Sequence, residues 1–284
     1  MPQTVLSLPF RKLQPFSPAP AASALCTIDI PTGPTYYTLA LYFKTVGVEA
    51  TEAQFKSMVK WIRVKIGNIA RIEVSGKHAV EILNKYYGIT FANGTCYIPL
   101  ARPWLKTPEA VENSAWGTRN VDKVTLEVEF DATAATPTME AHAMSSLYSR
   151  DLGVIYEVHE NTVSYAASGL QEFMTLPQTS GDLSALHLDS ANVTACDIEI
   201  DRNLYMQVTN LPVYHGMVKW FALRQNQTGY VHFEAQMRDL MAEALPISQA
   251  KQISIKPTLS AAGTVVYISE TLNAPLGLSS QSVN

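Results

Sequence analysis

Two runs of period-two alternation, nearly half the chain apart, constrain this sequence more than anything else in it. When "VKIGNIARIEVSG" (64–76) is laid over "IEIDRNLYMQVTN" (198–210) without gaps, Val64 falls on Ile198, Ile66 on Ile200, Ala70 on Leu204, Ile72 on Met206, Val74 on Val208 and Ser75 on Thr209. Apolar residues at every second position, twice over and separated by a short polar turn, are the pattern of a half-buried β-hairpin. Any two hairpins in the same register overlay in this way. The offset nevertheless lies close to half of the 284 residues, and strand signals restart after Ser149, so the economical reading is two similar sandwiches joined near 148–152.

The first hairpin carries its own register argument. A two-residue turn at Gly67 and Asn68 would set Val64 opposite Arg71 and mix the faces. A three-residue loop through Ile69 instead pairs Ile66 with Ala70, Val64 with Ile72 and Ile62 with Val74, and sets Arg63 across from Glu73 on the solvent face. Ser75 then caps a helix in which Ala79, Ile82, Leu83 and Tyr86 form one apolar stripe, with Gly88 as its left-handed stop. That stripe is expected to cover the sheet just laid down, at one end or flank of the first sandwich.

Elsewhere strands dominate. Cys26–Ile30, Tyr36–Lys44, "TCYIPL", "KVTLEVEFD" and "TMEAHAMSS" read as strands in the first half, with a brief helix from a Thr51–Gln54 capping box to Met58 and a loop carrying Trp104 and Trp116. In the second half "GVIYEVHE", "TVSYAAS", "SALHLD", "ACDIEID", "NLYMQV", "MVKWFAL", "KQISIKP" and "TVVYISE" are the strand candidates. A helix with Met237, Leu240, Met241 and Ala244 on its stripe is expected to end at Pro246. Many short strands and few helices predict an all-β chain: two jelly-roll β-sandwiches in tandem with a few short helices. The expected domains are an N-terminal arm over 1–23, extended rather than packed, a first jelly roll over 24–149 and a second over 150–284.

Chemistry is sparse. A net charge of −4 without a basic run argues against direct contact with nucleic acid. Cys26, Cys96 and Cys196 are odd in number and far apart, which fits neither a disulfide framework nor a zinc site and suits folding in a reducing cytoplasm. No signal-peptide core and no apolar stretch of membrane-spanning length are expected, and the sequons at Asn93, Asn192 and Asn226 read as chance. His78, His142, His159, His187, His215 and His232 stand singly and read as surface or strand-face residues. No nucleophile and base pair or phosphate loop can be nominated, so no catalytic, cofactor-binding or metal-ligating residue is assigned and no enzyme is expected. One cluster stands out: Asp197, Glu199 and Asp201 project from one face of one strand, with Tyr205 and Gln207 as uncharged cross-strand neighbours. It reads first as a solvated face, and alternatively as a site for a structural divalent cation or for a basic patch on a neighbouring subunit.

"IPTGPTYYTLALYF" (30–43) and "IRVKIGNIARIEVSGKHAVEILNKYYGI" (62–89) resemble the N-terminal domain of the corticovirus-type viral coat proteins, the major capsid proteins of tailless icosahedral phages with an internal membrane. Ile30 to Tyr36, Ser75 with Gly76, and Asn84 to Gly88 carry the likeness, which covers roughly the first 90 residues. The resemblance implies a double jelly-roll subunit, a pseudo-hexagonal homotrimer that contacts neighbouring capsid trimers, penton and membrane proteins, and a place in the virion capsid around the membrane. Leu6, Leu8, Phe10, Leu13 and Phe16 of the arm need a surface, and Arg11 and Lys12 among them suit anionic lipid. The rival reading is a jelly-roll spike or receptor-binding, lectin-like module using the loop of Trp104 and Trp116.

Overall fold

The strands build two sandwiches, seen here in a computed structural model that describes residues 9–173 and 181–273. The first half supplies β1 (Phe10–Lys12), β2 (Leu25–Ile30), β3 (Thr35–Thr45), β4 (Val48–Glu49), β5 (Val59–Ile66), β6 (Ile69–Val74), β7 (Thr95–Pro99), β8 (Trp116–Gly117), β9 (Val124–Phe130) and β10 (Pro137–Ser146). The second supplies β11 (Ile155–Tyr165), β12 (Gly169–Leu170), β13 (Asp182–Asp189), β14 (Val193–Ile200), β15 (Asn203–Val208), β16 (Tyr230–Glu234), β17 (Ile253–Leu259) and β18 (Gly263–Asn273).

In the first sandwich β1-β10-β3-β7 faces β6-β5-β9-β2; in the second β11-β18-β13-β16 faces β12-β17-β14-β15. The two jelly rolls therefore repeat one strand order. Each encloses its own apolar core, with Leu39, Leu41, Phe43, Ile62 and Val64 in the first and Leu186, Leu188, Ile198 and Ile255 in the second. β6 and β11 join them by a parallel pairing, Val158 with Ile72 and His159 with Glu73, so one eight-stranded sheet runs through both halves.

The hairpin register holds at Ile62–Val74, Arg63–Glu73 and Val64–Ile72, but not at the turn. The turn has two residues, Gly67 and Asn68, so Ile66 pairs with Ile69 and Lys65 with Ala70. A bulge at Arg71 then restores the alternation. The bulge is tolerated because it delivers Arg71 into a buried ion pair with Glu157 of β11. In the second hairpin Asp197 faces Gln207 as expected, whereas Glu199 faces Leu204 and Tyr205 is the bulged residue. Arg71 falls on Tyr205 in the overlay of the two hairpins, so the repeat extends to the irregularity itself.

Helix α1 (Glu52–Met58) has its Thr51–Gln54 capping box. After β6, Ser75 Oγ accepts from the His78 N–H and opens α2 (Gly76–His78), which widens into a π-turn over Ala79–Asn84, tightens to 3-10 over Lys85–Tyr87 and stops at Gly88 with φ +78°. Asn84, wholly buried, explains the widening: its amide donates to the Ala79 and Tyr97 carbonyls and its Oδ1 accepts from the Tyr97 N–H, tying the helix to β7. At the other end Gly76 is pressed on β5, where a Cβ would sit 2.4 Å from the Val59 carbonyl oxygen. Ala79, Ile82 and Leu83 complete the first core, as the stripe requires.

In the second half "GVIYEVHE" and "TVSYAAS", expected as two strands, form the single β11, two further elements differ in type and β16 is additional; one expectation fails in the arm. "MVKWFAL" is not a strand; residues 217–222 lie in α4 (Leu211–Ala222), capped by the Asn210 side chain with a proline in its first turn. The helix expected around Met237 to Ala244 is a single 3-10 turn, Met241–Glu243, preceded by Asp239 at φ +58°. β16 is a strand absent from the expected set although Val231 and Phe233, which face the second core, alternate with His232 and Glu234; its other face is buried as well. In the arm, Phe10–Lys12 form a strand on β10 and Phe16 is buried in the first core, so this part is packed; Leu6 lies outside the described residues, as does Leu8. Between α1 and β9 the chain also forms α3 (Pro108–Ser114).

Leu83 is wholly buried in the first core, where a charge would be desolvated. Leu83→Asp is expected to cost about 4 kcal/mol or more in denaturant or thermal unfolding, against less than about 1.5 kcal/mol for the volume-conserving Leu83→Met.

Candidate assembly interface

The chemistry-bearing side chains gather where the two jelly rolls meet. From the first come Arg71, Lys77, His78, Tyr86, Tyr87, Arg102 and Trp104; from the second Glu157, Glu160, Asp189, His187, His232, Glu234 and Glu270. Glu160 Oε2 accepts from the Ser75 N–H at 2.8 Å and lies 2.7 Å from His78 Nδ1, while His78 Nε2 lies 2.9 Å from Asp189, which also holds Lys77. Burial alone would lower the His78 pKa, but the hydrogen bonds to Asp189 and Glu160 outweigh it and raise it. Burial would likewise raise Glu160 and Asp189, and their bonds to His78 lower both instead. His78 is therefore a charged clamp between the domains.

Tyr86 and Tyr87, at the end of the helix, reach across. The Tyr86 ring packs 4.7 Å from His187 and 4.5 Å from His232, and its hydroxyl donates to Glu234 at 3.2 Å. Tyr87 donates to Glu270 at 2.9 Å and stacks on Trp104 at 3.7 Å. Arg102 pairs with Glu270 at 2.7 Å, and Arg224 pairs with Glu234 at 3.1 Å, so neither carboxylate is buried alone. The histidines share one proton order. Gln227 N–H donates to His232 Nε2, which leaves Nδ1–H to donate to His187 Nδ1 at 2.9 Å and His187 Nε2–H to face Glu270 at 3.2 Å. Burial, with His187 and His215 nearby, pushes the His232 pKa well below its usual value, in keeping with a neutral ring.

These contacts overturn the reading of the histidines as standing singly, although His187 and His232 do lie on strand faces, in β13 and β16. His187 and His232 are buried and meet from separate strands, and His78 is buried at the end of α2 between Glu160 and Asp189, groupings that spacing along the chain could not show. Trp116 is buried in β8 and Trp104 is taken up against Tyr87, so neither is a free aromatic on a binding loop. The acidic strand is also compensated, from its other neighbour: Lys256 of β17 stands opposite Asp197 and bonds Glu199 at 2.6 Å. Asp201 sits in the turn, where its Oδ1 accepts from the Lys251 and Gln252 N–H groups. No cluster of His, Cys, Asp or Glu with metal-binding geometry occurs among the described residues.

Away from the joint, the apolar side chains that reach solvent include two groups. On the second jelly roll, α4 exposes Val213, Met217, Trp220 and Phe221, Trp220 to 75%, and the edge strand β15 exposes Leu204 and Tyr205. On the first, a cavity of about 300 Å³ opens on the outer face of β10-β3-β7, lined by Phe10, Thr38, Ala40, Ile89, Tyr97, Pro99, Pro103 and Met144. Apolar patches of this kind on a polar surface mark contact sites.

Models of the viral coat protein P2 N-terminal and C-terminal domains match residues 10–148 and 155–275. The chain belongs to the viral coat protein P2 family. No curated protein sequence matches this coat protein. Among solved structures it is similar to the major capsid protein P2 of bacteriophage PM2, with TM-score 0.81 and 18% identity over 95% of this chain and 98% of that one. It is also similar to a chain of the Sulfolobus turreted icosahedral virus structure (TM-score 0.69, 12% identity, 95% and 91% covered) and to the PBCV-1 virus capsid (0.61, 8%, 94% and 93%). The coat protein thus has the double jelly-roll fold of these capsid proteins, and the resemblance carried by residues 30–89 extends through both halves.

The His78 clamp has a definite pH signature. A histidine whose folded pKa is raised stabilises fully below its unfolded value of 6.5 and ceases to do so as pH rises through the folded value. His78→Gln is therefore expected to lower the melting temperature most below about pH 6.5, with the gap to the unaltered chain closing at alkaline pH. A gap independent of pH contradicts a charged His78.

Proposed function

We propose that this coat protein is the major capsid subunit of an icosahedral shell around an internal membrane, acting as a homotrimer whose six jelly rolls give a pseudo-hexagonal outline. The observation that carries the reading is the duplication of one sandwich, strand order and hairpin bulge included, within a single rigidly joined chain. Two like units per chain, tripled, tile a hexagonal lattice with one gene product. The subunit is structural rather than enzymatic, since the polar network at its centre is spent on joining the two halves. Its partners on this reading are neighbouring trimers, penton and membrane proteins of the virion, and it is made in the host cytoplasm, where Cys26, Cys96 and Cys196 remain buried free thiols.

The arm is assigned two tasks. Phe10 to Phe16 clasps the first jelly roll, with Lys12 bridging Glu140 at 2.8 Å, and the residues before Phe10 contact the membrane or an adjacent subunit at the base of the shell.

Sedimentation of the purified chain at micromolar concentration is expected to give three times its mass of 31.2 kDa; a strictly monomeric species overturns the trimer. A chain beginning at Phe10 is expected to fold and trimerise but not to assemble around membrane vesicles. One beginning at Ala24 loses Phe16 from the core and should be less stable in denaturant unfolding by about 3 kcal/mol or more. Normal particle yield from the shorter deletion removes the arm's role at the membrane.

A further inference from the structure

The joint inside the chain has a counterpart whose two halves lie unjoined on the same molecule. At the offset that superposes the hairpins, Val64 on Ile198, Tyr86 corresponds to Trp220 and Tyr87 to Phe221. Both pairs close the helix that follows the hairpin, and both are edge-to-face pairs, with ring centroids at 5.1 Å and 4.5 Å. The tyrosines are inserted between domains; Trp220 and Phe221 stand in solvent.

The receiving surface is repeated too. In the second jelly roll Ala185 lies between Glu234 and Glu270, with His187 opposite His232 two residues on and a bulge at Ser184. In the first, Thr38 lies between Pro99 and Met144, with Ala40 opposite Tyr97 two residues on and a bulge at Tyr37. The residues that receive Tyr86 and Tyr87, namely His187, His232, Glu234 and Glu270, thus correspond to Ala40, Tyr97, Pro99 and Met144. These four line the 300 Å³ cavity. The polarity changes on both sides together: hydroxyl-bearing rings meet histidines and carboxylates, and rings with no hydroxyl face an apolar hole.

The edges agree. β11 pairs in parallel with β6 inside the chain, and the corresponding strands, β1 and β15, are each the end strand of a separate sheet. The register of β1 on β10 makes Phe10 the counterpart of Val158, and the hairpin offset makes Met206 the counterpart of Ile72.

We infer that Trp220 and Phe221 of one copy seat in the cavity formed by Ala40, Tyr97, Pro99 and Met144 of a second copy, with β15 alongside that copy's β1 so that Met206 meets Phe10 and Gln207 meets Arg11. The contact is head-to-tail, and such contacts close into a ring when the rotation per copy allows it. The inference rests on the trimer proposed above and names the surface that forms it.

Hydroxyl-radical footprinting of the unaltered trimer should find Trp220, Phe221 and Met144 protected relative to diluted monomer. Trp220→Glu, at an exposed site, and Met144→Glu, in the hole, should each raise the concentration needed for half assembly at least about 30-fold without lowering the melting temperature of the monomer. Trp220→Tyr, the residue type at position 86, should keep the trimer. A trimer in which Trp220 is oxidised freely, or one that persists in both glutamate variants, overturns the inference and leaves the trimer standing. Absence of any trimer in the unaltered chain overturns both.

Discussion

Everything larger than one sandwich depends on the way the helix from Ser75 to Tyr87 is shared between two cores. One of its faces, Ala79, Ile82 and Leu83, belongs to the first jelly roll, while its last turn is driven into the outer face of the second. A helix used on both sides cannot leave one domain without exposing the other. The parallel β6–β11 pairing adds backbone hydrogen bonds, and the Arg71–Glu157 and His78–Glu160 pairs lie in the same seam. Removing one member of such a buried pair leaves the other charged and unsolvated, which costs about 3–5 kcal/mol. The seam is therefore stiff, and a stiff seam turns two jelly rolls into one building block of fixed angle.

That stiffness is what a coat subunit requires. A shell is closed by repeating one angle many times, and a hinge between the two halves would spread that angle over a distribution. Purely apolar contact would give adhesion without orientation. The seam combines both, with rings for area and directional hydrogen bonds for register, so that Tyr86 can enter only with its hydroxyl toward Glu234.

Much of this is legible from residue pattern alone. Ser75, the Ala79–Tyr86 stripe and Gly88 announce the helix, and Val64, Ile72 and Val74 announce the hairpin, because each depends on local geometry and on one buried face. The turn at Gly67–Asn68 escapes the pattern because its correct register needs a bulge at Arg71, and the bulge is held by Glu157, 86 residues away. β16 and the histidine group escape for a related reason. His187, His232 and Glu234 look like solvent-facing polar residues until a second domain is laid over them, and only tertiary pairing brings it there. α4 reads as a strand because its exposed face is apolar; Trp220 and Phe221 blur the helical period that Val218 and Ala222 would otherwise mark. The Asn210 cap and Pro212 are the signals that point the other way.

If a rigid pair of like sandwiches closes on itself after three copies, electron microscopy of the purified, membrane-free protein makes the closure visible. Averaged top views should show a closed ring with three-fold symmetry and a six-cornered outline, each corner one jelly roll. Two-lobed single particles, or open head-to-tail filaments in place of rings, would contradict it.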